Sequence, residues 1–333
     1  MPYLDTLPVI VAVDGSPDSE RALHWAIEAA RLRSAPLQVV HAWPYASPPE
    51  AAVTATGEGD PVLDELRGKL VRRGAGGGLP EITFRGLSGL TDTVLPALGD
   101  EAQLLVLGSR GRGGFASLLL GSNGLACAAH SAAPVVVVPR PDRGGAPGHA
   151  AEQGTSGGDA LSGGALGADT LGGEARRPAA GRITLGIDAT SDEPGAIGFA
   201  FEEASRRAAR LDVVCGYSWP MLTPPAFEYT AAYEGTQQEY EDALAKRLAE
   251  ALAPYRDRHP EVAVEITLRD ADAAGQLVEA SKDSDLLVVA RHRRRLPVGR
   301  RLGSVTHAVL LHALCPIAVV PAPAAGPPAA PQP

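Results

Sequence analysis

Residues 121–139 read G-S-N-G-L-A-C-A-A-H-S-A-A-P-V-V-V-V-P, and residues 303–321 read G-S-V-T-H-A-V-L-L-H-A-L-C-P-I-A-V-V-P. Gly121, Ser122, His130, Pro134 and Pro139 fall on Gly303, Ser304, His312, Pro316 and Pro321 at one constant offset. Each stretch opens on Gly-Ser, runs through helix-compatible residues, and closes on a proline and a four-residue apolar run of strand length. Upstream, L-L-V-L-G (104–108) is answered by L-L-V-V-A (286–290), and L-Q-V-V-H-A-W-P (37–44) by L-D-V-V-C-G-Y-S-W-P (211–220). L-P-V-I-V-A-V-D (7–14) is answered by G-R-I-T-L-G-I-D (181–188). A period of about 180 residues is too long for a solenoid, so the chain is a tandem duplication of a whole domain.

Within the first copy, apolar runs alternate with helical patterns. Strands are expected at Val9–Val13, Leu37–His41, Ile82–Arg85, Leu104–Leu107 and Val135–Val138, and helices at Asp18–Arg33, Leu63–Arg72, Thr91–Leu98 and Ser122–His130. The second copy repeats this with a longer second helix, Glu239–Arg258. Continuously apolar strands alternating with helices imply a parallel sheet covered on both faces. The expected fold is therefore α/β, two tandem doubly wound parallel-sheet domains forming a pseudo-two-fold pair. Residues 1–139 and 182–322 are the domains. Residues 140–181 hold twelve glycines and no aromatic residue, and read as a disordered linker; 323–333 read as a disordered tail. A linker of that length reaches about 35 Å, enough for the copies to dock side by side through their last strands, antiparallel.

Composition excludes several classes. The 333 residues carry a net charge of −9, which gives no global electrostatic footprint for nucleic acid or anionic lipid. Aromatics at 5% are too few for a base-stacking platform. No run of 18 apolar residues is present, so no membrane span is expected. The opening M-P-Y-L-D-T-L-P-V-I lacks a basic n-region and a signal-length apolar run, and the expected location is cytoplasmic. The three cysteines, Cys127, Cys215 and Cys315, have no C-x-x-C spacing and are expected to be small buried hydrophobes.

Open α/β sheets bind ligands at the carboxyl ends of their strands. At those ends stand Asp14, after the first strand, and the loop opened by Gly108, whose skeleton is Gly108, two residues, Gly111, nine residues, Gly121-Ser122. Glycines at 108 and 111 are expected to permit positive φ and close backbone approach. Backbone N–H groups there form a nest for anionic oxygens. Ser122 is expected to cap the next helix, whose open N–H groups favour phosphate. Arg110 and Arg112 add charge, and Asp14 has a second reading as a helix cap. His130 and His312 read as favourable charges at helix C-termini rather than catalytic groups. No Walker Gly-Lys-Ser/Thr signature, Ser/His/Asp arrangement or metal-ligand cluster is visible.

The terminal Asp and the Gly-x2-Gly-x9-Gly-Ser loop resemble the universal stress protein family, nucleotide-binding subgroup. The resemblance covers about residues 7–139 and 182–321 and implies an adenine nucleotide alpha hydrolase-like fold. It implies ATP, with Mg on the phosphates. Ala12 and Asp14 would face adenine or ribose, and Val40 and Leu107 would line the base pocket. Gly108, Ser109, Arg110, Gly111, Arg112, Gly113, Gly114, Gly121 and Ser122 would hold phosphates. In the second copy the counterparts are Asp188, Gly303 and Ser304, but Ala290 and Arg293 replace the first two glycines. Weak or absent nucleotide binding is favoured there over intact binding. The six arginines of Arg291–Arg301 read either as compensating phosphate ligands or as a solvated basic loop. Two functional classes stay open: a non-enzymatic ATP-binding stress or signalling protein read by an unidentified protein partner, and a slow ATPase or nucleotide-dependent enzyme. No evident general base favours the first. Further pairing into a homodimer is allowed but not required.

Overall fold

The computed structural model describes residues 7–43, 59–74, 78–111, 120–140, 181–191, 193–219, 236–291 and 302–322. In the first domain the elements are β1 (Val9–Ala12), α1 (Pro17–Leu32), β2 (Leu37–Trp43), α2 (Pro61–Gly74), β3 (Ile82–Ser88), α3 (Thr91–Ala97), β4 (Leu104–Gly108), α4 (Ser122–His130) and β5 (Val135–Val138). The second domain repeats the order as β6 (Arg182–Gly186), α5 (Pro194–Arg206), β7 (Arg210–Tyr217), α6 (Gln237–Arg258), β8 (Val264–Asp270), α7 (Ala273–Ala280), β9 (Leu286–Ala290), α8 (Ser304–His312) and β10 (Ile317–Val320). All ten strands form one sheet, ordered β3-β2-β1-β4-β5-β10-β9-β6-β7-β8. Pairing within each half is parallel throughout. The strand order reverses at β1 and β6, which places a crevice at the carboxyl ends of β1 and β4 in one half, and of β6 and β9 in the other.

One antiparallel pair joins the halves. Val136 lies opposite Ala318, flanked by Val135 with Val319 and Val137 with Ile317. Residues 136 and 318 are counterparts in the duplication, so the pseudo-dyad runs between them. Every residue of β5 and β10 is buried. One apolar cluster, containing Val136, Ala318 and the buried faces of α1 and α5, continues across the junction on one side of the sheet. A second, with Val135, Val137, Ile317 and Val319, does so on the side of α4 and α8. The short, proline-preceded last strands thus cover each other, which removes two bare edges.

The junction is not apolar alone. Glu203 of α5 is fully buried and receives Arg33, which caps the C-terminus of α1 across the junction, as well as Arg207 and Arg206 (3.1 Å) of its own domain. Burial opposes the charge on Glu203, but Arg207, Arg33 and Arg206 outweigh it and hold its carboxyl below the usual carboxylate range. Burial also pulls the Arg33 guanidinium down to about 10, against the field of Glu203. Because folded Glu203 binds its proton more weakly than the unfolded chain does, its contribution is full above the unfolded value of about 4.3. It fades as pH falls through the folded value. Urea unfolding at a series of pH values therefore gives a stability gap between wild type and Glu203→Gln that narrows on acidification below about pH 4. A gap independent of pH contradicts the assignment.

Two expectations are corrected at the linker ends. Arg140 donates from Nε to both carboxylate oxygens of Asp18, at 2.9 and 3.1 Å, and so belongs to the first domain. Gly181 takes a positive φ of 63°, donates its N–H to Asp285 and accepts from Arg210 N, and so belongs to the second. The intervening 141–180 and the tail from 323 lie outside the described residues.

Candidate functional site

β1 delivers the chain to the crevice at Ala12, and Val13 N still donates to Val40 O at 2.8 Å. Asp14 then turns the chain: its Oδ1 accepts from Ser16 N at 3.0 Å, and Gly15 takes φ 74°, which suits glycine. The helix cap is Ser16, whose side chain accepts from Ser19 N, with proline at the next position. Asp14 is therefore not the cap of α1. Its other oxygen, Oδ2, lies only 2.5 Å from where a Cβ on Gly111 would stand. Asp14 and the second loop glycine thus face each other directly across the site mouth.

The glycines are present for reasons other than positive φ. Gly108 and Gly111 do not take it. A Cβ on Gly108 would come within 2.7 Å of the backbone carbonyl carbon and oxygen of Asp18, so this glycine lets the first turn of α1 lie on the end of β4. Gly111 makes room for the Asp14 carboxylate. Gly121 is the N-cap of α4, in extended conformation (φ −79°, ψ 157°), and α4 has no side-chain cap. The expectation that Ser122 caps this helix is corrected: Ser122 is its first residue and is exposed. The first turn of α4 therefore starts beside Ser109 and Arg110, and among the described residues no side chain caps its amides, which carry the partial positive charge of a helix N-terminus.

Ser109 is also corrected. It is 1% exposed, its hydroxyl donates to Asp18 Oδ2 (3.1 Å), its N–H donates to Val138 O (2.9 Å), and its carbonyl accepts from Gly121 N (2.8 Å). These bonds pin both ends of the loop and leave the side chain no role toward a ligand. The hub is Asp18, buried at 1% exposure and bonded to Ser109, Arg140 and Arg21. An acid in the first turn of a helix is an ordinary sequence feature, and its partners are 91 and 122 residues away. Nothing local singled it out.

Val40 and Leu107 sit in the core with Leu95, Leu120 and Cys127, at 0% and 4% exposure, and form the floor rather than an open wall. The half-buried apolar positions on that side in the first domain are Ala12, Ala42, Leu87, Val94 and Leu125. Ala42 pairs with Leu87 in the last turns of β2 and β3. Both lie beyond the strand ends expected from sequence, at His41 and Arg85, which is why they were missed. The period-two alternation carries the face of Val40 on to Ala42. On the opposite face, buried Asp60 accepts from Trp43 Nε1 (2.8 Å) and contacts His41 Nδ1 (2.8 Å), while its other oxygen caps α2 through Val62 and Leu63 N. Arg112, Gly113 and Gly114 lie outside the described residues. Cys127, Cys215 and Cys315 are all buried, and burial pushes the Cys127 thiol up to about 12, which makes it unreactive.

The second domain departs from this plan. Asp188 is exposed and closes a turn on Thr190 and Ser191. Gly303 caps α8 as Gly121 caps α4, and Ser304 is exposed. Ala290 ends β9 where Gly108 ends β4. Arg291, the counterpart of Ser109, is buried, and its Nη1 crosses the junction to Ser131 O at the C-terminus of α4, 2.6 Å away. It is neither a phosphate ligand nor part of a solvated loop. Arg293 to Arg301 fall outside the described residues.

The model of the Universal stress protein family matches residues 7–139 and 180–321, and the chain belongs to that family. It is 31% identical to Universal stress protein Rv2005c of Mycobacterium tuberculosis over 327 residues, covering 93% of this chain and 96% of that one. Among solved structures, a putative universal stress protein of Pseudomonas aeruginosa aligns at TM-score 0.59 and 13% identity, over 96% of this chain and 95% of that one. One from Archaeoglobus fulgidus aligns at TM-score 0.57 and 12% identity, over 96% and 99%. These similarities span both halves of the chain. Among the described residues no helix is long and apolar enough to cross a membrane.

Proposed function

We propose that the first domain binds ATP without turning it over, and that the chain is a cytoplasmic stress-response protein whose nucleotide state a protein partner reads. The observation that carries this reading is the N-terminus of α4 at Gly121, which lacks a side-chain cap and lies against Ser109 and Arg110, in a loop whose Gly111 stands against Asp14. Open helix amides beside an arginine suit a polyphosphate. Ala12, Ala42, Leu87 and Val94 supply an apolar shelf for the base, and Asp14 an acceptor for ribose hydroxyls. Among the described residues no three His, Cys, Asp or Glu side chains group to hold a metal. A magnesium ion would accordingly travel on the phosphates rather than in a protein cage. The second domain, with its loop arginine turned into the junction, carries no nucleotide.

Among the described residues, a methyl group at Gly121 would meet Ser109 O at 3.7 Å and Arg110 Cα at 3.8 Å, ordinary contacts. Gly121→Ala should therefore keep wild-type stability without nucleotide, within about 0.5 kcal/mol. It should weaken ATP binding about 10-fold or more, the equivalent of about 1.4 kcal/mol, because the methyl stands before the amides that would meet phosphate. Isothermal titration reads this directly. Equal affinity in variant and wild type removes the α4 terminus from the account. In the same preparations, steady-state ATP turnover should fall far below the ordinary enzyme range of about 1–1000 per second. Turnover within that range would place the protein among enzymes.

A further inference from the structure

Arg33 and Arg207 are counterparts in the duplication. Each follows the last residue of its first helix, α1 or α5, as C-cap, and each is followed by a left-handed residue, Ser34 (φ 51°) and Ala208 (φ 48°). Across the junction their contacts mirror one another. The Arg33 guanidinium carbon lies 6.0 Å from the Phe199 ring centre of α5, and that of Arg207 lies 5.6 Å from the Trp25 ring centre of α1. Trp25 and Phe199 are themselves counterparts. The symmetry fails four residues before each arginine. There the second domain has Glu203 and the first has Ala29, both at 0% exposure. Arg206, which also binds Glu203, has Leu32 as its counterpart. One carboxylate from one domain thus serves the arginines of both.

We propose that Glu203 makes this inter-domain surface partner-selective: the α1 face of the first domain accepts a domain carrying a buried carboxylate at the Glu203 position, its own second domain, and rejects a copy of itself. Two first domains paired in this way would bring two Arg33 guanidiniums into a closed contact lined by Ala29 on both sides. Like charges without a carboxylate would then lose water, which opposes association. Two second domains would bring two Glu203 with two Arg206 and two Arg207, so each carboxylate keeps its arginines. The opposite face of the sheet is biased the same way. Arg291 reaches Ser131 O, a backbone acceptor that any copy offers, while its counterpart Ser109 is short and held by Asp18. Selection therefore acts against self-pairing of the nucleotide-competent half. It does not depend on whether that half binds ATP.

The full chain tests this without separating the domains. Glu203→Ala gives α5 the Ala–Arg pattern of α1, and so leaves Arg33 and Arg207 across the junction without a carboxylate, as in the first-domain self-pair, with Arg206 standing in place of Leu32. Its melting midpoint should drop by roughly 10 °C, and small-angle scattering should shift from a compact particle toward two separated lobes. Adding Ala29→Glu moves the carboxylate to the mirror position, where Arg33 and Arg207 both remain within its reach. The double variant should regain most of the midpoint and the compact scattering profile. If Glu203 serves only its own helix through Arg206 and Arg207, a glutamate on α1 restores nothing, and that outcome overturns the proposal. So does a Glu203→Ala chain that stays compact with an unshifted midpoint. Should Glu203→Ala fail to fold, the double variant still decides: a folded, compact chain supports the proposal and an unfolded one overturns it.

Discussion

Replacing Val136 with Asp should open the two-domain particle or drive the chain to aggregate. Val136 has no exposed surface and stands opposite its own counterpart, Ala318, on the pseudo-dyad. Its side chain belongs to the apolar cluster that runs across the junction from Val9 and Val11 to Ile183 and Leu185. A carboxylate there has no cation within that cluster. The effective cost of burying an unpaired charge is several kcal/mol, a large share of the roughly 5–15 kcal/mol that holds a domain folded. The cheapest escape is to unpair β5 from β10, which lets water reach the charge and bares two apolar strand edges. Small-angle scattering shows opening as an extended dumbbell, and light scattering shows aggregation. Val319→Asp, at the neighbouring position on β10, should behave alike. Val71→Asp is the matched control, since Val71 is 71% exposed on α2 and its replacement should change nothing. A compact, stable Val136→Asp particle would mean that the sheet is not continuous.

Gly108→Ala should destabilise the first domain in the absence of any nucleotide. The added methyl would stand 2.7 Å from the backbone carbonyl of Asp18, and backbone in the first turn of a helix cannot yield as a side-chain tip can. Either α1 shifts off the end of β4 or the strand end moves. Both strain the bonds of Asp18 to Ser109 and Arg140. Overpacking of this kind costs about 1–3 kcal/mol, and thermal unfolding of nucleotide-free protein reads it. Gly121→Ala serves as the comparison, because it costs stability nothing and affinity much. If the two variants are equally stable without nucleotide, Gly108 is not a packing residue.

The fold was open to reading because its strands are unbroken apolar runs and because the chain presents them twice. The ends of α4 and β5 were readable to the residue, since Gly121 and Pro134 punctuate them. The ends of β2 and β3 were not. There the apolar run gives way to alternation, with His41 and Trp43 facing α2 and only Ala42 and Leu87 facing the site. The sequence leads one to expect positive φ at Gly108 and Gly111, and the structure gives these two glycines another reason. Positive φ belongs to Gly15, while Gly108 and Gly111 make room for Asp18 and Asp14. The junction chemistry was hidden for a different reason. Glu203 to Arg33 spans 170 residues and Arg291 to Ser131 spans 160, and no local pattern announces a contact of that range.

Native mass spectrometry of gently purified protein, with ATP supplied, tests the central claim most directly. The account predicts a single nucleotide per chain, lost in Gly121→Ala and kept in Gly303→Ala, because only the first domain pairs its open helix amides with glycines at 108 and 111, which Ala290 and Arg293 replace in the second. Two nucleotides per chain, none at all, or a nucleotide that survives Gly121→Ala and departs with Gly303→Ala would contradict it.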